Sequence, residues 1–204
     1  MRALFRKRSR PLGAHAALTG QHLYLRVPEA GDADRWIELR RLSRSFLEPW
    51  EPTWSEDTLT RRGFRRRLRR QAREANEDSG YAFLIVRRSD DALLGSASLG
   101  AVQRGVAQCC SLGYWIGAPF ARQGYMTEAL RLLLPYCFGP LGFHRVEAAC
   151  VPHNEASRAL LERLGFRREG YAHELLKIDG RWQDHLLYAM LERDLREANG
   201  GAKP

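Results

Sequence analysis

Apolar and polar positions alternate through HLYLRV, His22 to Val27, as they do along a strand half-buried in a sheet. Pro28 ends that run. Asp32 can cap a helix, and Ala33, Trp36, Ile37, Leu39 and Leu42 then supply a helical stripe. FLEPWEPTW, Phe46 to Trp54, carries two prolines and two tryptophans and predicts an ordered loop rather than helix interior. A second helix is expected from Asp57 or Thr58 to about Asn76, where Leu59, Phe64 and Leu68 give only a thin apolar stripe suited to a surface position. YAFLIVRR (Tyr81 to Arg88), LLGSASLGAV and QCCSLGYWIG read as strands turning at Asp90-Asp91 and Gln103-Arg104-Gly105. Tyr81 to Ile116 is therefore an antiparallel meander.

Beyond that point helices and strands alternate. Met126 to Cys137 is helical, HRVEAACV is a strand, and Glu155 to Leu164 is a helix ended by Gly165. FRREGYAHELLKI is a strand with a break at Gly170, Asp179-Gly180 is a hairpin turn, and WQDHLLYAML returns. About seven strands and four helices make the class mixed α/β with a mostly antiparallel sheet. The polar tail from Glu192 is expected to fray.

At 204 residues and 44% hydrophobic content the chain is expected to form one domain with a full core. The expected organisation is a basic segment over 1–20, a domain over 21–192 and a polar tail over 193–204. Cys109, Cys110, Cys137 and Cys150 contain no C-x-x-C pair, so neither a disulfide framework nor a metal site is expected, and a reducing cytoplasm is. No apolar run approaches the roughly 20 residues of a membrane helix, and the basic MRALFRKRSRPLG lacks the apolar region of a secretory signal. The formal charge of +9 concentrates in Arg2, Arg6, Lys7, Arg8 and Arg10, and in RRGFRRRLRRQAR from Arg61 to Arg73. Such clusters suit a polyanion or acidic partner; they suit a solvated helix face equally.

One stretch carries candidate chemistry. In GYWIGAPFARQGYMTEAL a strand stops, a tight turn holds Arg122 and Gly124, and a helix starts at once. Unpaired N–H groups at a helix start, reached through a glycine turn, form a cradle for phosphate. Many such turns bind nothing. The stretch has neither the lysine and hydroxyl of a P-loop nor a G-x-G-x-x-G fingerprint.

The stretch resembles the GNAT N-acetyltransferases. Their acetyl-CoA loop, [QR]-x-x-G-x-[GA], falls on Ala121-Arg122-Gln123-Gly124-Tyr125-Met126, where only Gly124 fits strictly. PHNEASRALLERLGFRREGY is similar to the second GNAT motif. FLEPWEP, LGYWIG and LKIDGRWQDHLLYA are similar to the RimJ-type ribosomal-protein-alanine N-acetyltransferases. The likeness runs from about His22 to Leu191 and implies a GNAT domain whose sheet is splayed near its middle.

The resemblance also implies roles. Backbone N–H groups of Arg122, Gln123, Gly124, Tyr125 and Met126 would hold the pyrophosphate of acetyl-CoA, with Thr127 as a first-turn hydroxyl. Trp115 and Ile116 would lie along the pantetheine arm, and Gly113 is the expected bulge that opens the sheet. Asn154 would match pantetheine amides, or serve simply as a helix N-cap. Ser157 would serve the leaving sulfur, or be an ordinary first-turn polar residue. Proton removal falls first to Glu174 and second to Glu51, each of which could instead serve only an ion pair. Glu147 and Glu128 read as structural or solvated, and Cys150 as a small core residue.

The implied activity is acetylation of a ribosomal protein's N-terminal α-amine, that of small-subunit protein five beginning with alanine. Ribosomal RNA or another ribosome surface would meet Arg61 to Arg73, and no membrane is involved. The alternatives are a GNAT acting on a small amine or antibiotic, and a non-catalytic ribosome-assembly or RNA-binding module.

Overall fold

The computed structural model describes residues 17–198. Eight strands form one sheet in the order β1-β2-β3-β4-β5-β6-β8-β7. The strands are β1 (Ala17–Thr19), β2 (Leu23–Arg26), β3 (Tyr81–Arg87), β4 (Leu93–Gln103), β5 (Cys109–Ile116), β6 (Arg145–Cys150), β7 (Arg167–Ile178) and β8 (Arg181–Leu191). The helices are α1 (Ala33–Leu42), α2 (Arg44–Leu47), α3 (Arg61–Asn76), α4 (Tyr125–Phe138), α5 (Glu155–Arg163) and α6 (Glu192–Ala198). Mixed α/β topology with a mostly antiparallel sheet holds as expected.

Several details differ from the sequence reading. β1 adds an eighth, edge strand, pairing Ala17 to Thr19 with Tyr24 to Arg26. The tail expected to fray instead forms α6, because Asp194 is buried and holds both the Leu191 N–H at 2.9 Å and Arg167 at 2.8 Å. α3 begins at Arg61, where the Thr60 hydroxyl caps the Gly63 N–H at 3.0 Å. Part of the loop after α1 is helical, in α2 and a 3-10 turn over Glu48–Trp50. The basic cluster from Arg2 to Arg10 lies outside the described residues.

The sheet separates two cores. On one side α4 buries Ala129, Leu130, Leu133 and Cys137 completely against β2, β3 and β5. A leucine so buried contributes roughly 1.5–3 kcal/mol. On the other side α1 and α3 pack Trp36, Ile37 and Phe64 over Leu84 and Val86. Side chains on β5 serve both, since alternation along a strand points Tyr114 and Ile116 to the α4 side and Trp115 to the α1–α3 side.

The sheet opens between β5 and β6, its one parallel pair. Pairing covers only Cys109–Arg145, Cys110–Val146 and Ser111–Glu147. From Leu112 onward β5 pairs with β4 but no longer with β6. Gly113 is not the bulge: it pairs in register with Ser98, and the irregularity falls between Gly100 and Gln103 of β4, where Ala101 has φ +46°. The opening comes from divergence of β5 and β6 after Ser111.

Candidate active site

Two helices start at the mouth of this opening. Past Ile116, a 3-10 turn over Ala118–Phe120 and two left-handed residues, Arg122 (φ +61°) and Gly124 (φ +84°), deliver the chain into α4. Gly124 is the N-cap and offers no side chain to the first-turn N–H groups, which have no partners within the helix. A Cβ on Gly124 would meet no atom of the protein within 4 Å. Internal packing therefore leaves open the space a phosphate group needs against this backbone. Arg122 and Gln123 are exposed, and Gln123 folds back to donate to the Pro119 carbonyl at 2.8 Å. Met126 is buried in the α4 core, whereas Tyr125 and Thr127 are half-buried.

The second helix is α5. Asn154 caps it, its Oδ1 accepting the Ser157 N–H at 3.0 Å. The cap uses only the oxygen, leaving the side-chain NH2 free to donate outward. One turn on, the Ser157 hydroxyl lies 2.8 Å from the Tyr114 hydroxyl of β5. Burial raises the Tyr114 phenol well above its ordinary range, against a smaller opposing effect of Ser157. Tyr114 thus remains a proton donor at neutral pH. The Cys150 thiol beside Ser157 is pushed up by burial as well, while Ser157 and Arg158 oppose the rise. A protonated, 5% exposed thiol is a core residue rather than a nucleophile.

Glu51 and Glu174 end in different surroundings. Glu51 binds Arg40 through both oxygens, at 2.7 and 2.5 Å, and accepts from the Trp54 indole at 2.8 Å. Arg40 is only 5% exposed and lies between the rings of Trp36, Trp54 and Trp115. Both Glu51 oxygens are thus committed, and its carbonyl also accepts the Asp179 N–H of the β7–β8 turn at 2.9 Å. This pins the loop after α2 to the hairpin. Glu174 is exposed, with φ +45°, inside an irregularity of β7 between Ala172 and Leu176. Asp184 holds that backbone, its Oδ1 accepting the Glu174 N–H at 2.8 Å and its Oδ2 the Tyr171 hydroxyl at 2.5 Å. Glu174, Asp184, Tyr171, Trp182 and His153 line an open groove of about 290 Å³. Trp50 reaches its edge by stacking on His153 at 5.4 Å.

Glu128 accepts the His22 N–H at 2.8 Å and Glu147 the Arg145 guanidinium at 2.7 Å. The sheet thus opens past Ser111, α4 starts at Gly124 with its first-turn N–H groups uncapped by a side chain, and α5 starts at Asn154. Residues 22–167 match the sequence profile of the acetyltransferase (GNAT) domain. The chain belongs to the GNAT acetyltransferases. This acetyltransferase is 37% identical over 177 residues to the probable N-acetyltransferase YjcK of Bacillus subtilis, covering 87% of this chain and 98% of that one. It is 36% identical, over 87% of its length and 91% of the relative's, to the ribosomal protein uS5-alanine N-acetyltransferase of Escherichia coli. Among solved structures, Mycobacterium smegmatis RimJ in complex with CoA-disulfide superposes with a TM-score of 0.81 at 31% identity, covering 89% of this chain and 90% of that one.

Tyr114, Arg40 and Asp184 contact the candidate residues Ser157, Glu51 and Glu174 and are not among the residues that the sequence singles out. The strand alternation L-x-Y-x-I of Leu112, Tyr114 and Ile116 was a usable signal for Tyr114, because it sets that residue on the inner face. Nothing local linked Arg40 to Glu51 or Asp184 to Glu174.

Proposed function

We propose that this acetyltransferase uses acetyl-CoA to acetylate the N-terminal α-amine of a ribosomal protein, one that begins with alanine. What carries the reading is the meeting of Tyr114 and Ser157 at the mouth of the splay, between the Gly124 loop and the Asn154 cap. The relative named for ribosomal protein uS5-alanine acetylation supports the acceptor class, and a ribosomal acceptor implies work in the cytoplasm.

Acetyl-CoA brings the acetyl group as a thioester. Backbone N–H groups from Arg122 to Met126 and the Thr127 hydroxyl hold its pyrophosphate, and Asn154 donates its side-chain NH2 to a pantetheine carbonyl. The free edge of β5 at Trp115 and Ile116 aligns the arm as an added strand would. Ser157, backed by the protonated Tyr114, donates a proton toward the leaving sulfur. An α-amine has a pKa near 7.7–8.0 and is partly neutral in the cell. Glu174 therefore needs only to take one proton, through water, at the groove. Glu51 fixes the groove wall rather than moving a proton.

The arginines from Arg61 to Arg73 face ribosomal RNA or an acidic ribosomal surface and bring the acceptor terminus to the groove. A small cationic amine is the second reading, because Glu174 and Asp184 would also attract one. Steady-state kinetics separate the two. An alanine-initiated peptide should give a kcat/KM at least about 100-fold above that of its N-terminally blocked form and of spermidine, a difference near 2.7 kcal/mol. Preference for spermidine would favour the small-amine reading.

A further inference from the structure

A cavity of about 480 Å³ lies on the flank of α3, apart from both the Gly124 loop and the β7–β8 groove. Arg66, Arg67, Arg69, Arg70 and Arg73 line it, and the carboxylate in the lining is Asp57. Asp57 is already taken, by Arg66 at 2.5 Å. Arg70 reaches Glu74 only at 3.5 Å. Arg67 is the half-buried member of the set, its guanidinium 5.4 Å from the Trp36 ring. Among the described residues no carboxylate pairs with it. Burial, with Arg40 and Arg70 nearby, pushes it down to about 10 against the weaker pull of Glu51 and Glu74, so it stays charged at neutral pH. A half-buried charge without a counter-ion is unfavourable for folding, and an anion in the cavity would supply the missing partner.

The rest of α3 narrows the class of anion. All eight basic residues from Arg61 to Arg73 are arginine, whose planar fork takes phosphate bidentately. Arg62, Arg66, Arg69 and Arg73 follow at i, i+4, i+7 and i+11, one exposed row about 16 Å long at 1.5 Å per residue. The exposed face of α3 carries no large hydrophobic residue, so it lacks the apolar anchor on which protein–protein interfaces centre. The aromatic rings in the lining, Trp36 and Phe64, are 3% and 1% exposed and cannot stack on bases. A backbone of phosphates fits these features, read by shape and charge as in duplex RNA.

We propose that this cavity is a phosphate site for an RNA backbone, with Arg67 taking one phosphate and the outer row of α3 tracking its neighbours. It rests on the ribosomal reading above and names the partner of the α3 face.

Fluorescence anisotropy with a short labelled RNA duplex, across a salt series, tests it without any acetyl acceptor. Arg67→Gln should weaken binding at least about tenfold and lower the log–log salt slope by about 0.7 to 0.9, the loss of one phosphate contact. Arg131→Gln, an exposed arginine of α4, should change neither. Without RNA, Arg67→Gln should melt at or above the wild-type temperature, because an unpaired charge is removed. The exposed pair Arg69→Gln and Arg73→Gln should lower the slope further, whatever happens to the fold on changing Arg67. RNA binding by both variants equal to wild type would overturn the proposal, and a lower melting temperature with unchanged RNA binding would make Arg67 a structural stack on Trp36. Labelled polyglutamate binding as tightly as RNA would assign the face to an acidic protein instead. If RNA binding fails while ribosomal acetylation holds, only this proposal falls; if RNA binding holds and no ribosomal chain is acetylated, only the acceptor reading does.

Discussion

The hydroxyl of Tyr114 on β5 lies 2.8 Å from that of Ser157 on α5, joining the two walls of the splay at its mouth. Because burial raises the Tyr114 phenol above 10, it is protonated at and below that pH and can donate to Ser157. Tyr114→Phe should lower kcat by about 10- to 100-fold with little change in the KM for acetyl-CoA, as expected for loss of a group that acts in the transition state. In the wild type no alkaline loss of kcat due to this phenol should appear below pH 10. A Tyr114→Phe enzyme with unaltered kcat would leave the pair a structural clasp.

Gly124 combines φ +84° with open space where its Cβ would stand. Asn is the non-glycine residue that best tolerates a left-handed backbone, so Gly124→Asn should fold with a small loss of stability. Its side chain would still intrude on the phosphate cradle. Calorimetry should find CoA bound at least about tenfold more weakly, or roughly 1.4 kcal/mol. Wild-type affinity in the folded variant would mean that the pyrophosphate sits elsewhere.

The two acids that the sequence nominates for proton removal should fail in opposite ways. Glu51→Gln takes the charge from the partner of a 5% exposed arginine, so denaturant unfolding should show a loss of about 3 kcal/mol. Its kcat per folded molecule should fall by less than about tenfold. Glu174→Gln, at an exposed site, should leave stability within about 1 kcal/mol but lower kcat by about 100-fold. The reverse pattern would return the base to Glu51.

What the sequence made legible was local. Seven strands and four helices followed from alternation, helical stripes and glycine or proline punctuation. The turn before α4 stood out because its glycine and arginine are adjacent in the chain. β1 is not legible since three residues are too few to alternate, nor is α6, whose polar run is anchored by Asp194 to Arg167 of a strand formed earlier in the chain. The sequence places the start of α3 too early, because Ser55 bonds to both Asp57 and Thr58 in a turn, leaving Thr60 as the cap. Pairings across the fold could not be read at all. Tyr114 and Ser157 are 43 residues apart, and the commitment of Glu51 depends on Arg40, whose own burial is set by three tryptophans. Gly113 was a reasonable place for a bulge by residue type, but the sheet opens through strand divergence that no single residue encodes.

The acceptor is the point on which the functional reading turns. Purified protein, radiolabelled acetyl-CoA and ribosomes lacking the endogenous enzyme should be incubated together, and the labelled chain identified by mass spectrometry. Expected is label on the α-amine of one ribosomal protein that begins with alanine, abolished by Ser157→Ala combined with Tyr114→Phe. Label on an added small amine, with every ribosomal N terminus unmodified, would contradict it.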